Sequence, residues 1–156
     1  MTPTIFPTTP DCEIASSRIV NAPRQLVFQA WTDPAHLKEW WGPAGFTNTF
    51  HEFELRVGGK WRFTMHGPDK GNYPNEVEFV QIDEPTLIAW KRISKPLFNV
   101  VATFEAVGTD KTNLVFRMVF ESANECDKIR RFAVEKNEEN FDKLEVELIK
   151  MAADEK

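Results

Sequence analysis

The side chains able to do chemistry are few and scattered. Three histidines, His36, His51 and His66, stand far apart, whereas a zinc site needs paired ligands at short spacing or a Cys/His set. No metal is expected. Cys12 and Cys126 form neither a CxxC pair nor a metal-ligand spacing and read as two reduced thiols. The chain has no GxSxG, no P-loop and no GxGxxG, so the common nucleophile and phosphate motifs are missing. Lys60 follows Gly58 and Gly59 without a phosphate-cradling loop before it, and the glycine pair reads as a tight hairpin. No cofactor and no catalytic residue is assigned.

Glu52, Glu54, Arg56 and Arg62 alternate along adjacent segments. This is the pattern of a cross-strand ion-pair ladder on a solvated face. The alternative is that Glu54 or Arg56 points inward and anchors a polar ligand group. A buried carboxylate could then serve as a general base, because burial raises its pKa. Trp40 and Trp41 are the most informative pair. Either one ring packs in the core while the other caps a helix end, or the pair forms a wall or lid at a pocket mouth. Gly42, Pro43 and Gly45 make the stretch that follows a loop, which suits the second reading.

These residues depend on the elements that carry them. Glu13 to Val20 reads as a strand. Ala22-Pro23 opens a helix whose Leu26, Val27, Ala30 and Trp31 share one face. Asp33 caps a second short helix from Pro34 to Trp40, stopped by Gly42-Pro43. Strands follow at Thr47–Val57, Lys60–His66, Glu76–Ile82, Thr86–Ile93, Leu97–Val107 and Thr112–Phe120. Phe98, Val100, Ala102, Phe104 and Ala106 alternate, as do Leu114, Phe116, Met118 and Phe120, so each of these two strands buries one face. Across the glycine pair, a three-residue loop with a Gly bulge puts Phe53, Leu55 and Val57 on the same face as Trp61, Phe63 and Met65. Ser122 and Glu125 form a capping box. After it Ile129, Ala133, Phe141, Leu144, Leu148 and Met151 recur as a helix stripe, with room for a bend near Phe132–Asn137.

Helices segregated from a run of strands make an α+β domain with an antiparallel sheet. A chain of 156 residues can bury roughly 70% of its unfolded surface and needs no staples. Residues 1–10 are Thr/Pro-rich and read as a loosely ordered tail, leaving one domain over about 11–152. Thirteen Phe and five Trp suit the wide gap between a sheet and a helix. The net charge of -5 argues against a nucleic-acid or anionic-membrane partner. The N-terminal stretch MTPTIFPTTPD does not read as a signal peptide, and no apolar run approaches the roughly 20 residues that span a bilayer, so a cytoplasmic location is expected.

Several segments carry a family likeness. Arg18-Ile-Val-Asn-Ala-Pro23 followed by Val27, then Thr32-Asp-Pro34, Leu37 and Trp40-Trp41-Gly-Pro43, resembles the opening of the activator of heat-shock-protein-90 ATPase homologue family. Glu54-Leu-Arg-Val-Gly-Gly59 is similar to that family's acidic-x-Arg-x-Gly-Gly hairpin. Phe120-Glu-Ser122 and Phe141-Asp-Lys-Leu144 match it before and within the last helix. The likeness covers about residues 13–150. It implies the SRPBCC, or START-like, superfamily and a helix-grip (Bet v 1-like) fold. In that fold a curved antiparallel sheet of about six to seven strands wraps a long C-terminal helix, with two short helices after the first strand and a cavity between helix and sheet. Many members carry Gly-Trp one turn before the Phe141 position. Here stand Lys136 and Asn137, which implies a larger or more polar pocket.

The pocket is expected to use Phe53, Leu55, Trp61, Phe63, Phe104 and Phe116 from the sheet. Phe141 closes it from the helix, Asn137 presents an amide to it, and Trp40 or Trp41 stands near its mouth. Three functions are open. One is non-catalytic binding of an apolar or aromatic small molecule, supported by the aromatic inner face and the lack of a nucleophile–base set. Another is a cyclase- or hydrolase-like enzyme using polar residues in the cavity. The third is a chaperone-interacting module, which the family's name suggests and which a large exposed apolar patch would favour. A monomer or weak homodimer is expected.

Overall fold

The computed structural model describes residues 12–95 and 97–154; the expected N-terminal tail lies outside them. The chain begins with strand β1 (Glu13–Val20), then helices α1 (Arg24–Thr32) and α2 (Pro34–Trp40). Six strands follow: β2 (Thr47–Phe53), β3 (Lys60–His66), β4 (Asn72–Asp83), β5 (Leu87–Arg92), β6 (Asn99–Val107) and β7 (Lys111–Val119). Helix α3 (Ala123–Asp154) ends the fold. The strands form one antiparallel sheet in the order β1-β7-β6-β5-β4-β3-β2. Consecutive strands from β2 to β7 are neighbours, and β1 closes the far edge on β7.

The local signals act where they are written. Asp33 accepts a hydrogen bond from Ala35 N at 3.0 Å, with Pro34 at the first helical position. Ser122 Oγ accepts from Glu125 N at 3.2 Å and caps α3, satisfying one of the amides a helix start leaves open. α3 runs as one unbroken helix of 32 residues, through the 132–137 stretch where the sequence leaves room for a bend. β4 begins earlier than predicted and includes Pro74. Pro74 pairs with Thr64 on β3, while β5 pairs with β4 only from Val77 onward. The missing N–H therefore falls where β4 has no second partner.

The β2–β3 connection departs from the predicted hairpin. β2 ends at Phe53; residues 54–57 form a turn, and Gly58 and Gly59 hydrogen-bond back to Phe79 on β4. Glu54 N donates to Lys60 O, Arg56 N to Glu54 O and Gly59 N to Arg56 O. A Cβ at Gly59 would lie 2.1 Å from Glu54 O, so only glycine closes this turn. A bulge falls between Phe50 and Glu52. It shifts the side-chain parity, so that Phe50 and Phe53 both face Trp61. Leu55 and Val57 are left exposed.

Phe53 opposite Trp61, Trp90 opposite Val100, and Ala102 opposite Phe116 build the inner face. The outer face carries ion pairs. Arg62 lies 3.6 Å from Glu52 and 3.9 Å from Glu76, and Glu78 lies 3.0 Å from Lys60 and 3.8 Å from Lys91. Glu54 and Arg56 pair with each other in the surface turn. Hydrogen bonds with Glu52 and Arg56 hold the Glu54 carboxyl below the ordinary range, the opposite of what a buried general base requires.

Helix α3 lies across the inner face and meets β1, α1 and α2. Arg18 on β1 reaches Glu138 at 2.8 Å and Asp142 at 2.7 Å, with its guanidinium 5.5 Å from the Phe141 ring centre. His36 Nδ1 bonds the buried Glu147 carboxylate at 2.8 Å and ties α2 to α3. No helix is long and apolar enough to cross a membrane among the described residues.

Candidate functional site

The residues that α3 turns toward the sheet change character along its length. Toward its C-terminus they are Phe141, Leu144, Leu148 and Met151, all buried. These fill the space over the sheet. In the preceding two turns or so, from Ala133 through Asn137 to Asn140 beside Phe141, they are small or polar and also buried. Side chains this short fill less of the space over the sheet than Phe141 or Leu144 do, and a cavity of about 170 Å³ remains there.

All five tryptophans meet at this place. Trp41, Trp61 and Trp90 are the cavity's indole walls. Their ring centres lie 5.3 Å (Trp41–Trp61), 5.7 Å (Trp41–Trp90) and 5.6 Å (Trp61–Trp90) apart, all edge-to-face. Trp31 and Trp40 stand behind Trp41. Such T-shaped contacts put the positive edge of one ring on the negative face of the next. Phe63, Phe98, Phe116, Met65, Met118, Val77 and Val100 complete the apolar lining.

Four polar side chains face the same space: Arg92, Lys136, Asn137 and Asn140. Asn137 Nδ2 donates to Ser16 Oγ at 3.2 Å and contacts Met118 Sδ at 3.7 Å. Asn140 Oδ1 and Trp61 Nε1 are buried without a hydrogen-bond partner among the described residues. Arg92 Nη2 donates to Ser94 Oγ at 3.2 Å and Lys95 O at 3.4 Å, and the guanidinium lies 5.1 Å from the Phe98 ring centre. Burial pushes its pKa down to about 10, so Arg92 stays cationic at neutral pH. No carboxylate, imidazole or thiol is among the described lining residues. Phe98 packs on Phe120, ring centres 5.2 Å apart. Beyond this pair lies a second hollow, of about 290 Å³. Its rim is mostly charged (Lys95, Glu121, Glu125, Lys128), and the indole-lined cavity is the better candidate for an organic ligand.

The mouth is set by the loop after α2. Gly42 has a φ of +100°, which favours glycine, and a Cβ there would meet Met65 Cε at 2.8 Å. Lys143 Nζ donates to three carbonyls of this loop, those of Gly42 (3.2 Å), Pro43 (3.3 Å) and Phe46 (3.1 Å). Desolvation lowers its pKa. Glu139 adds a bond from Ala44 N at 3.0 Å. Lys143→Met is expected to destabilise the protein by about 1–3 kcal/mol, since it strands these carbonyls. Amide hydrogen exchange at Ala44 and Phe46 should accelerate more than elsewhere. Unchanged exchange there would remove the strap from the account.

Of the ten residues expected at the site, Trp41, Trp61, Phe63, Phe116 and Asn137 line the cavity. Trp40 is fully buried behind it, its Nε1 donating to Ala30 O at 2.9 Å. Phe104 packs on Phe28 and Trp31, and Phe141 stands edge-on to Phe116, 6.5 Å between centres. Phe53 is half-buried against Phe79 and Trp61. Leu55 lies outside, 41% exposed, because the chain leaves the sheet at residue 54. Sequence reasoning did not select Trp90, Arg92 or Asn140. Asn140 sits one turn from Asn137, a spacing that could have flagged it. Arg92 shares the parity of Trp90 on β5.

A family model described as "Activator of Hsp90 ATPase homolog 1-like protein" matches residues 21–148. No curated protein matches the chain. Among solved structures, a Nitrosomonas europaea protein is similar with a TM-score of 0.85 at 19% identity, covering 93% of this chain and 99% of its own. An Arthrobacter aurescens protein has a TM-score of 0.82 at 22% identity, covering 90% and 87%. The AHSA1 protein from Silicibacter pomeroyi has a TM-score of 0.71 at 18% identity, covering 88% and 97%. At these identities the likeness speaks for the helix-grip fold.

Proposed function

The chain belongs to the activator of Hsp90 ATPase homologue 1-like family, and from that premise we propose that it binds a small aromatic molecule, without catalysis, in the cavity between α3 and the sheet. The observation that carries this reading is the arrangement of Trp41, Trp61 and Trp90 as three walls of one space. Indole faces and edges complement a planar ring from several directions. Size narrows the ligand. An apolar cavity of roughly 150 Å³ takes benzene, while sites for drug-sized ligands run to about 300–1,000 Å³. A space of about 170 Å³ therefore suits one or two rings and not a lipid.

A cyclase- or hydrolase-like reaction would need an acid or base, and the titratable groups lining the cavity are Arg92 and Lys136. Both side chains offer hydrogen-bond donors, and neither is a carboxylate or imidazole suited to acid–base work. A chaperone-binding role would draw on exposed apolar side chains such as Phe132, Val146 and Ile149 on α3.

Titration with naphthamide, a neutral two-ring probe, tests the reading. Tryptophan emission should change saturably with one-to-one stoichiometry, because three indoles touch the bound ring. Trp41→Ala should weaken that response. A response that stays linear up to millimolar probe would overturn binding at this site.

A further inference from the structure

Two polar atoms of the cavity's lining residues are left without a hydrogen bond. Asn140, on α3, is 8% exposed and lines the cavity. Its Oδ1 has no partner among the described residues. Trp61, on β3, is fully buried and lines the same cavity. Its Nε1–H is likewise without a partner among them. Buried polar atoms are nearly always paired, because stranding one costs its desolvation penalty. Asn137 shows the contrast. One turn earlier on the same helix, it donates from Nδ2 to Ser16 Oγ at 3.2 Å and ties α3 to β1. The Asn140 oxygen makes no such tie.

The two orphans ask for opposite partners. An amide oxygen only accepts, so Asn140 Oδ1 calls for a donor. An indole N–H only donates, so Trp61 calls for an acceptor. A hydrocarbon ligand supplies neither. A carboxylate supplies acceptors alone and would set its lone pairs against the Asn140 oxygen. A hydroxyl on an aromatic ring supplies an O–H donor and an oxygen acceptor from one group. A phenol with a pKa of about 10 stays neutral at neutral pH and keeps the proton it donates.

We infer that the ligand of this cavity is a neutral hydroxylated aromatic, its ring held among Trp41, Trp61 and Trp90 and its O–H donating to Asn140 Oδ1. This deepens the binding reading above and rests on it. The oxygen of that hydroxyl, or of a second one, is the acceptor that the Trp61 N–H lacks. Asn140 then determines specificity. A site with a buried acceptor discriminates against the analogue that lacks the donor, because that analogue leaves the acceptor stranded. Water also solvates a free hydroxyl, so the cavity favours it only where a protein group replaces the lost bond.

Equilibrium dialysis at neutral pH with naphthol, methoxynaphthalene and methylnaphthalene, substituted at the same carbon, tests the inference. The first carries a donor and an acceptor, the second an acceptor alone, the third neither. In the wild type, naphthol should bind about tenfold more tightly than methoxynaphthalene, as one more hydrogen bond predicts. Two variants remove the amide with opposite effects on space: Asn140→Leu narrows the cavity and Asn140→Ala widens it. In each, the affinity for naphthol relative to methylnaphthalene should fall about tenfold, while methoxynaphthalene follows methylnaphthalene. Methylnaphthalene needs the folded cavity and not the amide, so its binding reports that a variant is folded. Wild-type protein that binds methoxynaphthalene as tightly as naphthol overturns the hydroxylated ligand, and naphthamide binding then leaves the binding reading standing. A naphthol preference that survives both substitutions overturns the role of Asn140. If neither these probes nor naphthamide binds the wild type, the cavity is not a ligand site and this inference falls with it.

Discussion

Trp61→Ala is expected to lower stability by about 3–5 kcal/mol, a fall in thermal midpoint on the order of 10 °C for a chain of this size. Trp61 is fully buried. It stacks on Phe63 with ring centres 4.2 Å apart and meets Trp41, Trp90, Phe50 and Phe53 edge-on. Removing the indole joins its volume to the existing cavity, and the surrounding rings sit on β2, β3, β5 and the loop after α2, which cannot all close on the gap. The variant should therefore be rescued by free indole. A ligand that binds only the folded state raises stability in proportion to the logarithm of its concentration. The thermal midpoint of Trp61→Ala should climb with added indole well beyond any shift in the wild type. A loss below about 1 kcal/mol, or a variant blind to indole, would mean that Trp61 does not hold the cluster together.

Leu144→Ala should cost about 2–5 kcal/mol in a denaturant titration. Leu144 is fully buried in the main core, in the half of α3 that fills the space over the sheet. α1 and α2 also lie against this helix, so the void would open between three helices and the sheet. Binding of naphthamide per folded molecule should be little changed, because the substitution falls outside the cavity lining. The two variants thus separate the helix stripe that stabilises the fold from the indole wall that lines the cavity. A cost under about 0.5 kcal/mol would show that α3 is not anchored by this stripe.

One helix produces both a core and a hollow. The difference lies in a few side chains: Phe141, Leu144, Leu148 and Met151 on one side, Ala133, Asn137 and Asn140 on the other. The stripe is continuous, so the fold needs no break in α3 to leave a cavity. The mouth loop is then strapped to the same helix by Lys143 and Glu139.

What the sequence determined by itself is local. The alternation of Val100, Ala102 and Phe104 and of Leu114, Phe116 and Met118 marks strands with one buried face, and those side chains do face the core. Asp33-Pro34 and Ser122 mark helix starts through bonds two or three residues long. These signals rest on interactions within a turn or a pleat, so the residues that cause them are adjacent in the chain. The tertiary structure decided the rest. The bulge between Phe50 and Glu52 reset the parity of β2 and sent Leu55 to solvent, which no count of alternating residues could foresee. β5 hides its cavity face in plain sequence: Leu87 and Ala89 are buried in a small cluster on one side, Ile88 and Trp90 on the other. A strand buried on both faces has no alternation to read, so Trp90 and Arg92 could not be assigned to the inner side. Where the cavity lies depends on how far α3 slides along the sheet before it packs. That alignment is fixed by contacts between residues more than a hundred positions apart, such as Arg18 with Asp142 and Ser16 with Asn137, and only the folded chain brings them together.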